Sequence, residues 1–429
     1  MSGDPAIVIT GSGAVCGLGS TPADIATALF DGRSAIAPVT AWDTAGWPRN
    51  LGAEVHEPGL RELVPDRKVH KLIRRTDFYG IFAAERAVDA AGWLPQRSTL
   101  DAAACEAFND RTGVYVGSGG GNFENQYDYF PLFDAAAGHL PAFGRELDSQ
   151  VSPMWLLRAL PNNVLCHVGI RLGFKGANAC ITNHAVSGLM AVIEAAEGLR
   201  GGEADRAVAV GHDSPLEPQV FSYMHRLGLL AAGRLRSFDR GRDGSVLGEG
   251  AAAVTLETRA AAQGRAAAVL GEYLGGGVAT DGQGILELDP AGDGLVRAIR
   301  AALADAGLEP AGVGAIFAHG NGTPLSDASE AAALCTVFGE ATPPLTACKW
   351  GYGHLIAASG IIDLVVALEA MRAGRLPGIA TLETPDPALG PLRVSSTPQA
   401  VRGSVALVIA RGFAGIDAAV LLRVAARTQ

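Results

Sequence analysis

The 429-residue chain is poor in charge and in aromatic rings: 18% of its residues are Asp, Glu, Lys or Arg, and 6% are Phe, Trp or Tyr. Positive charge is the scarcer sign, with 34 basic against 44 acidic residues and a formal net charge of −10, for a pI near 5.4. That balance argues against nucleic acid or an anionic membrane as partner. The six cysteines (Cys16, Cys105, Cys166, Cys180, Cys335, Cys348) contain no C-x-x-C pair. Neither a zinc site nor a disulfide framework is therefore indicated, no metal is expected, and isolated cysteines read as small buried hydrophobes. No apolar run reaches the ~18 residues of a membrane span. Met1–Asp4 enters an apolar stretch with no basic segment ahead of it, so the expectation is a soluble, cytoplasmic protein. The glycine string 117–121 lacks both a Walker Lys-Ser/Thr and a spaced G-x-G-x-x-G. It reads as a tight turn, and a dinucleotide-dependent oxidoreductase is set aside.

What is plentiful is small and apolar: hydrophobic residues make up 48% of the chain, and it holds 56 glycines. This composition suits an α/β fold with close helix–sheet packing. Strand-like runs at 6–11, 112–117, 177–185, 206–211 and 251–256 alternate with helical patterns at 22–29, 78–91, 153–159 and 187–200. A second round follows: helices at 295–306, 327–338 and 355–373, and strands at 313–318, 345–348, 404–410 and 417–423. No Pro/Ser linker divides the rounds, and no short-period repeat is visible. Residues 1–258 and 259–429 are expected to form two halves packed as one unit. The densest basic run, Arg61, Arg67, Lys68, Lys71, Arg74 and Arg75, reads as a solvated helix face or as a patch for an acidic partner.

Five motifs stand in order along the chain: Val8-Ile9-Thr10-Gly11; Phe238-Asp239-Arg240-Gly241-Arg242-Asp243-Gly244 with Leu247-Gly248-Glu249-Gly250; Ala318-His319-Gly320; Lys349 through Gly353-His354; and Gly412-Phe413-Ala414-Gly415. Together they resemble the β-ketoacyl-acyl-carrier-protein synthases, the condensing enzymes of fatty-acid and type II polyketide synthesis, over essentially the whole chain. The resemblance implies a thiolase-like fold, an αβαβα sandwich of five layers built from two similar halves, and a dimer. It implies no bound cofactor, with substrates arriving on the phosphopantetheine arm of an acyl carrier protein. Family members use a cysteine at a helix N-terminus as nucleophile, and two backbone N–H groups as oxyanion hole. By motif position His319 and His354 match the histidines that assist decarboxylation of the malonyl unit, and Lys349 the supporting lysine. Glu330 matches the acidic partner of that lysine, and Phe413 the gatekeeper of the acyl pocket. Thr323 matches one of two threonines that touch the pantetheine arm, and Asn321 replaces the other. Ala185 and Phe413 supply the oxyanion-hole positions. A degradative thiolase is disfavoured because its C-terminal cysteine motif is missing.

The nucleophile position holds Ala185. The ungapped register that places it there also aligns Gly176, Glu194, Ala195, Ala204, Asp205 and Gly211 with the family pattern. Cys180 sits five residues upstream, about 16 Å along a strand and on its opposite face, and reads as core packing. A methyl group cannot attack a thioester. The expectation is a non-acylating subunit, similar to a chain-length factor, that pairs with an active ketosynthase as a heterodimer. A genuine synthase with its cysteine replaced (a homodimer) and a malonyl-carrier-protein decarboxylase are the alternatives. His184, where the family usually has alanine, points to natural loss of the cysteine, and reads as a gap-filler or interface contact. Trp350 and Tyr352 either narrow the pocket or pack beneath the loop, and Arg411 either blocks the pocket or reaches a partner carboxylate.

Overall fold

The chain runs one five-strand pattern twice. The first pass supplies β1 (Ile7–Cys16), β2 (Thr112–Ser118), β3 (Asn178–Ile181), β4 (Arg206–Asp213) and β5 (Gly250–Thr258). The second supplies β6 (Gly271–Thr280), β7 (Ala315–Phe317), β8 (Leu345–Thr346), β9 (Val405–Gly412) and β10 (Ile416–Arg423). Across the joined sheet the order is β8-β7-β9-β10-β6-β1-β5-β4-β2-β3. From edge to seam, each half therefore runs third, second, fourth, fifth, first. The seam is short: Ile7, Val8 and Ile9 pair with Tyr273, Glu272 and Gly271. This computed structural model describes residues 5–120 and 124–425; the readings made at Met1–Asp4 and Gly121 lie outside the described residues.

Six helices complete the layers: α1 (Arg75–Ala91), α2 (Asn163–Leu172), α3 (Ser187–Arg200), α4 (Asp293–Asp305), α5 (Pro324–Phe338) and α6 (Ser359–Arg372). Helix α1 packs on β1, β4 and β5, and α4 on β6 and β10, while α3 and α6 touch each other and strands of both halves. The central pair is thus the middle layer of an αβαβα sandwich. Helix α3 forms because Leu189, Val192, Ala196 and Leu199 recur at helical spacing, and all four are buried. Burying each of its large side chains stabilises the fold by about 1.5–3 kcal/mol. Helix α6 is buried on nearly every side, as a central helix must be.

The duplication reaches into these two helices. Each is 14 residues long and opens on Ser-Gly, and each follows a 3₁₀ turn, His184–Val186 before α3 and Ile356–Ala358 before α6. The first residue of each turn has a positive φ, 49° at His184 and 43° at Ile356. That conformation costs a non-glycine residue roughly 1–2 kcal/mol. The elbows meet: a Cβ on Gly188 would lie 2.6 Å from the Ala357 carbonyl oxygen, so glycine is required there.

Several expectations change. The run 177–185 is not one strand, because β3 stops at Ile181 and the chain turns into the His184 elbow. The sequence pattern marks no strand where β6 lies. Its Gly275-Gly276-Gly277 run hides the alternation of a strand, yet a Cβ on Gly277 would sit 2.1 Å from the Ala298 oxygen of α4. Cys180 is not core packing. It lies half-buried on the edge strand β3 and its thiol donates to the Pro161 carbonyl at 3.4 Å. Only Cys16 and Cys348 are buried cysteines, and all six are free. The basic run is not one solvated face either: Arg61, Arg67, Lys68 and Lys71 are exposed, whereas Arg74 pairs with Asp128 and Arg75 with Glu249.

Candidate active site

The loops after β7 and β8, the turn after β9 and the elbow before α3 converge on one cavity of about 370 Å³. His184, His319, His354, Asn321, Thr323 and Phe413 line it, together with Met224, Leu227, Ile285, Leu286 and Leu325. The last three are exposed and make an apolar mouth.

His319 is fully buried, and its Nδ1 accepts the Arg411 backbone N–H at 3.3 Å. His354 Nδ1 accepts the Ile356 N–H at 3.1 Å and lies 2.8 Å from the Ser359 hydroxyl. With both Nδ1 atoms engaged as acceptors, the hydrogen of each neutral ring sits on Nε2. The two rings stand edge to face, 5.1 Å between centroids. Burial, followed by the charge of Lys349, drives both histidines well below the ordinary imidazole range. The pair is therefore neutral at physiological pH and presents two N–H donors.

Glu330 does not pair with Lys349, contrary to the sequence reading. Its carboxylate accepts the backbone N–H groups of His319 and Gly320 at 2.7 and 2.8 Å and so shapes the His319 loop. The partner of Lys349 is Asp363 on α6: Nζ and Oδ2 are 2.9 Å apart, and both side chains are buried. Asp363 lies one helical turn after Ser359 and faces the same loop. The second Asp363 oxygen takes the Tyr352 hydroxyl. Tyr352 and Trp350 are buried and pack beneath the loop without lining the cavity. Arg411 neither blocks the cavity nor reaches outward; its guanidinium turns to Asp417 at 2.6 Å and to the Ser326 carbonyl and Ser329 hydroxyl. Asn321 Oδ1 accepts both the N–H and the hydroxyl of Thr323, at 2.9 and 2.8 Å, which ties the two cavity-lining polar residues together.

Ala185 is the central residue of the elbow and fully buried. Among the described residues its N–H has no acceptor. His184 is more than a gap-filler. Its ring stacks on Phe413 with centroids 4.3 Å apart and planes at 20°, and its Nδ1 faces the Phe413 N–H at 3.5 Å. Burial pushes its pKa down to about 4. Behind it lies a second, smaller pocket of about 70 Å³, lined by Arg74, Asp77, His212, Asp213 and Glu217. Burial raises Asp213 in that pocket to about 6. His184 and Ile356, which open the two elbows with positive φ, line both cavities. No group of metal-ligating side chains occurs among the described residues, and none of their helices is long and apolar enough to cross a membrane.

A sandwich of two like halves, with a pair of neutral histidines above a helix-capping elbow, defines a condensing-enzyme site of the thiolase-like class. The chain belongs to the β-ketoacyl synthase family: residues 4–262 match its N-terminal domain and residues 270–383 its C-terminal domain. It is similar to the 3-oxoacyl-(acyl-carrier-protein) synthase 2 of Coxiella burnetii, at 32% identity over 89% of each chain. Among solved structures it resembles the ishigamide ketosynthase/chain length factor, with a TM-score of 0.86 and 27% identity over 98% of this chain and 100% of that one. At 23% identity and a TM-score of 0.82, covering 98% of this chain and 100% of the other, it shares the fold of a type II polyketide synthase ketosynthase solved with its acyl-carrier protein and bound to the hexaketide.

Proposed function

We propose that this chain is a non-acylating ketosynthase subunit, similar to a chain-length factor, that pairs with an active ketosynthase in decarboxylative condensation of carrier-bound acyl and malonyl units. The observation that carries the reading is Ala185: the elbow residue that the family motifs align with the nucleophile ends in a methyl group. Among the residues that line this cavity there is no cysteine to take the acyl group of a thioester. The pantetheine arm of a carrier protein enters by the apolar mouth and passes Thr323 and Asn321, while Phe413 borders the far end. The surface also suits a partner. Among the described residues strand β3 leaves one edge unpaired, open to pairing with another chain, and the apolar side chains Phe133, Leu156 and Ile170 in the segment before it are exposed. Co-expression with a ketosynthase that carries the nucleophilic cysteine tests the reading. A stable heterodimer whose condensation stops when this chain is omitted supports it; a self-sufficient, condensing homodimer refutes it.

One observation favours a second activity of the same site. The Nε2–H groups of His319 and His354 converge on the cavity independently of residue 185. Two such donors stabilise the enolate oxygen that forms when a malonyl thioester loses CO₂. Release of CO₂ from malonyl-carrier protein by the isolated chain, lost on His319→Ala, supports this reading; no release above background excludes it.

A further inference from the structure

We propose that His184 is a positioning residue that closes the site to acyl transfer, so that a cysteine at position 185 is not sufficient to reopen it. The inference rests on the non-acylating reading above and adds a second lock to the missing sulfur. Acyl transfer to a cysteine at 185 requires its thiolate sulfur to add to the thioester carbonyl carbon. The carbon–sulfur bond to the carrier arm then breaks, and the departing pantetheine thiolate takes up the proton that the cysteine lost. Between those events the carbonyl oxygen carries negative charge and needs two N–H donors.

The Ala185 N–H is open to that role. The Phe413 N–H faces His184 Nδ1 at 3.5 Å. The bond is long, but the ring that accepts it also lies flat on the Phe413 ring at 4.3 Å, so an oxyanion must displace the imidazole to reach the donor. His184 also lines both the 370 Å³ cavity and the pocket behind the elbow, and stands as a wall where an acyl chain attached at 185 would continue. The pocket beyond is small, about 70 Å³, and mixes charged residues such as Arg74, Asp77 and Asp213 with apolar ones such as Leu160 and Val220, so its size rather than its polarity limits an acyl chain there. Finally, His184 holds this position at a φ of 49°, a conformation in which glycine would be unstrained. A side chain is kept there despite the backbone cost.

The test compares wild type, Ala185→Cys, His184→Gly/Ala185→Cys and His184→Phe/Ala185→Cys, using octanoyl-carrier protein for acylation and iodoacetamide for simple thiol access, both read by intact mass. His184→Gly removes the ring and relieves the backbone, while His184→Phe keeps the wall and removes the acceptor. The expected result is acylation at least ~100-fold faster in the glycine double variant than in Ala185→Cys, because only loss of the ring uncovers the Phe413 N–H as an oxyanion donor. The phenylalanine double variant should stay slow, and alkylation rates should change by less than the acylation rates. Equal acylation of Ala185→Cys and the glycine double variant overturns the proposal, as does a folded glycine double variant (by circular dichroism and melting) that is not acylated. Acylation of the wild-type chain refutes the non-acylating reading itself, a separate outcome.

Discussion

Replacing Asp363 by Asn tests how the floor of the site is held. The Lys349–Asp363 pair is buried at 2.9 Å with side-chain exposures of 0% and 1%. Asparagine keeps the shape and still accepts the Tyr352 hydroxyl, but leaves the ammonium group without a counter-charge. Breaking a buried pair on one side costs about 3–5 kcal/mol. An independent bound agrees: surrendering the proton of a lysine of ordinary pKa, ~10.4, at pH 7 costs about 4.6 kcal/mol. The cost should be paid in that way, and the pH dependence reveals it. In the variant the folded state holds a neutral lysine while the unfolded chain still binds the proton. Stability relative to wild type therefore rises with pH, recovering about 1.4 kcal/mol per unit between pH 7 and 9. Urea unfolding of both proteins at pH 7, 8 and 9 reads the effect, and Glu330→Gln, whose carboxylate hydrogen-bonds backbone N–H groups and not the ammonium, should show no such recovery. A loss below about 1 kcal/mol at pH 7, or a loss independent of pH, refutes the pairing as the anchor of this loop.

Two further outcomes follow from the geometry. His184 is neutral in the fold, with its pKa lowered from 6.5 to about 4, so its contribution to stability falls as pH drops below ~6.5. His184→Phe should gain about 2 kcal/mol relative to wild type between pH 7.5 and pH 5, read by chemical denaturation; a constant difference contradicts the assignment. Gly277→Ala, whose Cβ would meet the Ala298 oxygen at 2.1 Å, should destabilise by roughly 3 kcal/mol. Gly264→Ala, in open space, should be neutral in the same denaturant titration, and equal effects would remove the close-packing argument.

Much of this site was legible because its chemistry is local in sequence. His319, Lys349 and His354 sit in short motifs at strand ends, and the turn before α3 is centred on Ala185. Helix α3 was readable to the residue because its apolar spacing is regular and its ends are marked by Ser187 and Gly201. The misses are long-range. Glu330 follows the His319 loop on α5 and Asp363 follows the Lys349 loop on α6, and nothing in their spacing says which carboxylate takes backbone N–H groups and which takes Lys349; only the packing of α6 decides. Strand β6 was obscured because its glycines answer to α4 rather than to strand propensity. From sequence His184 reads as a gap-filler or an interface contact, since its contact with Phe413 joins residues 229 apart. The repetition of the elbow before α3 and α6 is not legible in the sequence either, because it rests on backbone conformation and on a separation of more than 170 residues.

The central claim is that this chain handles carrier-bound acyl groups without taking them. Intact-mass analysis of the purified heterodimer after incubation with acyl-carrier protein addresses it directly. The account predicts that the acyl mass appears on the partner ketosynthase alone. An acyl mass on this chain, at any residue within the cavity, would contradict it.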